Sequence, residues 1–177
     1  YVLHSPTLLP NAGGFLWNRN MMIQANCRGF AVAQFMQPEP ARYSFAPNLE
    51  AKTFMQPEQS FYAHHPGRFT YVRDDASDEV FSAPYEPMRR ALDHYEFSVG
   101  AHDIRWVARS NEIEIAMTLS LPLHDVAELW TLSIRNTGDR SRRIRVYPYF
   151  TIGYMSWMNQ SETYREDLGG IVASCVT

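Results

Sequence analysis

Between Gly153 and Gly170 the chain reads GYMSWMNQSETYREDLGG, which sets Tyr154, Trp157 and Tyr164 among Asn159, Gln160, Arg165, Glu166 and Asp167. Aromatic faces stack on the apolar faces of sugar rings, while planar amides, guanidinium groups and carboxylates bind paired hydroxyls. Such a mix suits a polar ligand with flat apolar sides. The same residues also describe an irregular loop pinned into a core by its Trp and Met side chains, and residue type leaves both readings open. For a sugar contact the stretch nominates Trp157, Asn159, Gln160 and Arg165, with His65 and Glu58 behind them. Asn159-Gln160-Ser161 is formally a glycosylation sequon, but no secretory signal precedes it.

Other chemistry is thin. There is no GxSxG elbow, Walker loop, HExxH or Rossmann glycine fingerprint, and no catalytic residue is expected within the chain. Glycoside cleavage by water needs two acids set across the scissile bond. Asp74, Asp75, Asp78, Glu79, Asp103, Asp125, Glu128, Asp139, Glu162, Glu166 and Asp167 all supply carboxylates, and nothing selects a pair. His64-His65 lacks further ligands at metal spacing, so no metal is expected and His65 is read as orienting a loop or a hydroxyl. Cys27 and Cys175 form no CxxC or Cys/His spacing and are read as free thiols of a reducing, cytoplasmic compartment.

The elements that must hold these residues are strands. Glu112–Leu121 alternates for ten residues, with Ile113, Ile115, Met117, Leu119 and Leu121 on one face. Val126–Arg135 is expected to point Val126, Trp130, Leu132 and Ile134 inward. Arg143–Phe150 is expected to point Ile144, Val146 and Phe150 inward and Arg143, Arg145, Tyr147 and Tyr149 outward. That outward stripe is either a solvated sheet face or one covered by a second layer. Arg68–Arg73, Glu79–Ser82, His94–Val99 and Ile104–Arg109 complete the strand set, with a hairpin connection at Gly100–Asp103 and a turn at Asn136–Asp139. Strands at this spacing predict an all-β, antiparallel β-sandwich. The stretch 153–170 is expected to interrupt the pattern as a loop. Residues 1–67 are expected to be irregular with short strands. Five prolines in 36–66 exclude a helix of normal length there. The phrase FMQPE recurs at Phe35–Glu39 and Phe54–Glu58, either as paired loops lining a site or by coincidence.

Composition narrows the class. The 177 residues carry 45% hydrophobic and 14% aromatic side chains and a net charge of −3. A folded surface of ~8,900 Å² against ~30,000 Å² extended leaves roughly 70% burial available, so the core needs no metal or disulfide. That much aromatic surface excludes disorder. The charge balance excludes a dedicated nucleic-acid binder. No apolar run approaches the ~18 residues of a membrane-spanning helix. Lys52 is the only lysine among 16 basic residues, a bias that either follows genome composition or favours planar, bidentate pairing. The first residue is Tyr1, and the closing GGIVASCVT reads as a strand in progress. The expectation is a single partial domain, 1–177, of a longer protein.

The run PGRFTYVRDDASDEVFSAPYEP, then HYEFSVGAHDIRW, then IEIAMTLSLP, then HDVAELWTLSIRNTGDRSRRIRVYPYF resembles the amino-terminal β-sandwich of glycoside hydrolase family 94. That family includes the cellobiose and chitobiose phosphorylases and the phosphorylase-like part of cyclic β-1,2-glucan synthases. The resemblance covers roughly residues 15–150. It implies a galactose mutarotase-like supersandwich followed, outside this chain, by an (α/α)6 helical barrel carrying the general acid and the phosphate-binding groups. It further implies phosphorolysis of a β-linked oligosaccharide with inversion, inorganic phosphate as co-substrate, no other cofactor, and a homodimer formed partly through this domain. AGGFLWNRNMM and the two FMQPE copies depart from the better-known members.

Three functions follow: a non-catalytic leading domain supporting the barrel and the sugar site, a stand-alone carbohydrate-binding module, or a purely structural and dimerisation domain. Oligosaccharide binding by the chain alone favours the second, and burial of Arg145, Tyr147 and Tyr149 against a partner favours the third.

Overall fold

The computed structural model describes residues 1–35, 67–150 and 159–176. Among them every regular element is a strand. The strands are β1 (Val2–Leu3), β2 (Gly13–Trp17), β3 (Met21–Asn26), β4 (Ala31–Phe35), β5 (Arg68–Asp74), β6 (Val80–Ala83), β7 (His94–Val99), β8 (Asp103–Ser110), β9 (Ile113–Ser120), β10 (Leu129–Asn136), β11 (Ile144–Phe150), β12 (Asn159–Arg165) and β13 (Gly170–Val176). Every pairing is antiparallel.

One layer is the sheet β1-β7-β8-β9-β10. The core has period two because one face of this sheet is buried. Ile113, Ile115, Met117 and Leu119 of β9 are buried, and the residues between them are only half so. Phe97 and Trp106 carry the same face across β7 and β8. The facing layer is built from two three-stranded sheets, β2-β3-β4 and β11-β5-β6. Among the described residues they are joined by a bridge from Phe30 to Gly67 and by the Arg68 N–H donating to the Gly29 carbonyl. Leu16, Ile23 and Ala25 from the first, and Val72, Phe81 and Ala83 from the second, join the core cluster of the opposite layer. Two polar tips cross between layers. The Trp106 indole N–H donates to the Asn26 carbonyl at 3.0 Å, and the Tyr95 hydroxyl donates to the Cys27 carbonyl. Those carbonyls lie at and just past the end of β3, so the bonds satisfy buried groups at the strand terminus.

Three sequence expectations are corrected. Val126 precedes β10, and its side chain is exposed. Phe150, at the end of the edge strand β11, is exposed as well. Ile134 lies on the core face of β10, opposite fully covered Ile115, yet is 42% exposed. The alternation was right, but β10 is an edge strand, and among the described residues cover thins beyond β9. The stretch expected to be a loop from Gly153 to Gly170 contains β12 and the turn into β13. Asn159–Arg165 has no apolar alternation of its own. Its strand state comes from the ladder with the β-branched Ile171, Val172 and Val176 of β13.

Candidate functional site

The register of β5 with β11 places Arg68 opposite Phe150. The chain therefore enters β5 and leaves β11 at the same end of that sheet. His65, Glu58 and Trp157 lie outside the described residues, as does His64. Asn159 and Gln160 are described as the first two positions of β12, in register with Val176 and Cys175.

Arg165 closes β12. Its Nε and Nη2 donate to the two carboxylate oxygens of Asp167 at 2.8 and 2.6 Å, a bidentate fork within the β12–β13 turn. This bond holds the guanidinium further up than usual and the Asp167 carboxyl below the ordinary carboxylate range. A sugar hydroxyl meeting Arg165 would meet an exposed ion pair, not a free fork.

The described residues at this sheet end form a constellation that sequence reasoning did not single out. Arg68 donates through Nε and Nη2 to Glu128 at 2.9 and 2.8 Å, and the Trp130 indole N–H donates to the same carboxylate at 2.8 Å. Trp130 stacks on buried Trp106 with ring centres 5.6 Å apart. On the neighbouring strands Tyr149 stacks over Phe69 and meets Tyr71 edge-on. Glu128, half-buried and just before β10, ties that strand's approach to the start of β5. Only Glu128 was on the list of carboxylates, and no local spacing reveals an arginine partner 60 residues away.

Other carboxylates are likewise engaged by arginine. Asp74 accepts from Arg142, whose other nitrogen donates to Glu112 at 2.6 Å. The Ala76 N–H and then Arg142 hold the Asp74 carboxyl below its usual range. A general acid needs the opposite shift. Glu86, fully buried, is gripped by Arg28 and by Arg89 at 3.0 Å. Asp75 faces Arg145 at 3.0 Å and Arg143 at 3.5 Å. The recess bounded by Asp74, Glu79, Phe81, Arg90, Ser110, Asn111 and Ile113 is open to solvent and holds only about 10 Å³. That is far below the ~300 Å³ at which ligand pockets begin. Cys27 is buried, and burial pushes its thiol up to about 11, which keeps it in the inert thiol form.

Sequence comparison settles what kind of domain this is. The model of the glycosyl hydrolase 94 supersandwich domain matches residues 39–165. The chain belongs to glycoside hydrolase family 94. Along its whole length this family 94 domain is 59% identical to a cellobionic acid phosphorylase from Neurospora crassa, of which it covers 22%. It is 29% identical over 123 residues to an N,N'-diacetylchitobiose phosphorylase from Vibrio furnissii, covering 67% of this chain and 15% of that protein. It is also 30% identical over 129 residues to a cyclic beta-(1,2)-glucan synthase from Rhizobium meliloti, covering 71% of this chain and 4% of that protein. The chain thus spans about a fifth of the length of the phosphorylase it matches end to end, and an antiparallel all-strand sandwich is what the family 94 supersandwich requires.

Proposed function

We propose that this chain is the non-catalytic leading domain of a glycoside phosphorylase that acts on a β-linked glucosyl aldonic acid. The observation that carries the reading is the 59% identity over all 177 residues to a cellobionic acid phosphorylase of which those residues form 22%. The structure is consistent with it, because the described buried carboxylates are committed to arginine partners rather than set across a cleft. In the proposed reaction a phosphate oxygen bonds to the anomeric carbon, the glycosidic C–O bond breaks, and an acid protonates the leaving oxygen. The products are glucose 1-phosphate with inverted configuration and the free aldonic acid. The acid and the phosphate-binding groups belong to the rest of the parent protein.

In this reading the domain supports that catalytic part and lends contacts to its sugar site. The residues to test for those contacts are Trp157, Asn159, Gln160, Arg165, His65 and Glu58. The test is an assay of the full-length parent with cellobionic acid and inorganic phosphate. Equimolar glucose 1-phosphate and gluconic acid are expected. Phosphate-independent release of glucose, or no turnover of any β-glucoside, would sink the reading. Trp157→Ala and Gln160→Ala are expected to raise KM more than they lower kcat.

A further inference from the structure

The turn between β2 and β3 and the connection between β9 and β10 are clasped together. Asn18 Nδ2 donates to the carbonyls of Pro122 and Asp125 at 2.7 and 2.9 Å, and Asn20 Nδ2 donates to the His124 carbonyl at 2.5 Å. Asn18 Oδ1 meanwhile accepts from the N–H groups of Asn20 and Met21 at 2.7 and 2.8 Å. Flanking this rigid clasp, Trp17 is 71% exposed, Leu123 79% and Val126 52%. Leu16, next to Trp17 on β2, is buried in the core, so the strand's pleat fixes Trp17 outward.

Large apolar side chains grouped on a rigid support mark an interaction surface, and Trp is the residue most enriched among interface anchors. The same two loops also expose Arg19, His124 and Asp125 beside these apolar side chains. An apolar centre with a polar rim is the make-up of a protein interface. A source for the partner surface is at hand, because this chain makes up only 22% of the phosphorylase it matches throughout.

We infer that the Trp17–Leu123–Val126 platform is a face on which the remainder of the parent protein packs, with Trp17 as the anchor. The inference rests on the leading-domain reading above, and it names the surface used.

Hydroxyl-radical footprinting of the full-length parent tests it. Trp17 should be oxidised at least tenfold more slowly in the native parent than in the urea-unfolded parent, as buried Trp106 is, at every protein concentration and without sugar. Trp17→Ala should lower the thermal midpoint of the parent, although an exposed side chain contributes little to the fold described here. Oxidation of Trp17 near the unfolded rate, or an unchanged midpoint, overturns the inference. Protection lost on dilution would assign the face to a second copy, and protection that needs oligosaccharide would assign it to a glycan; either also overturns it. Phosphorolysis measured on the same preparations separates the two ideas. An active parent with Trp17 open sinks this inference alone, and an inactive parent with Trp17 protected sinks the leading-domain reading alone.

Discussion

Asp74, Glu86 and Arg165 show why residue type alone was a poor guide to the site. Each could serve chemistry, and each is instead bound to an opposite charge. Arg142 lies 68 residues from Asp74 and Arg28 lies 58 residues from Glu86, distances that only the tertiary fold closes. Glu86→Gln breaks the buried pair with Arg28 and is expected to cost about 3–5 kcal/mol in urea unfolding. Asp74 titrates lower in the folded chain than in the unfolded one, so its contribution is complete above about pH 5 and is lost as pH falls through the folded value. The difference in unfolding midpoint between the wild type and Asp74→Asn should therefore be constant from about pH 5 to 7 and shrink below about pH 4. A gap that stays constant down to pH 2 contradicts that assignment. Of the nominated sugar contacts, the sequence identified residue types well suited to a polar ring. The Arg165–Asp167 fork was not legible, because it depends on a turn imposed by β13.

At the scale of elements, period two was a faithful guide wherever both neighbours of a strand are present. Strands β7, β8 and β9 lie within a residue or so of the spans read from alternation, and the Gly100–Asp103 connection is the hairpin it was read to be. The misreadings cluster at edges. Alternation reports which face a side chain takes, not whether a further strand covers it, so Ile134 and Phe150 were placed inward and stand exposed. β12 was missed because a polar strand carries no hydrophobic period. The contact between layers is also an element-scale property. A Cβ on Gly14 would sit 2.6 and 2.8 Å from the two methyls of Val99. Gly14→Ala is therefore expected to destabilise the sandwich by about 1–3 kcal/mol. Tyr95→Phe, which leaves the Cys27 carbonyl without its donor, should cost about 1–3 kcal/mol. If both variants unfold at the wild-type denaturant midpoint, the layers are not locked at these points.

At the scale of the molecule, the leading-domain reading proposed above gives this family 94 supersandwich a supporting part. The resemblance of the YVRD, VFSAPYEP and IRNTGD runs carried the family and the sandwich. The face on which the rest of the parent rests was not legible, because the clasp joins residues more than 100 positions apart. The central claim is that no carboxylate described here acts on the glycosidic bond. The most direct measurement is a carboxylate-to-amide scan of Asp74, Asp75, Glu86, Glu112 and Glu128 in the full-length parent, reading phosphorolysis and thermal midpoint on each variant. The account predicts that kcat stays within about tenfold of wild type wherever the midpoint is preserved. A variant that keeps its midpoint yet loses about 10²–10⁴-fold in kcat, the contribution of general acid catalysis, would contradict it.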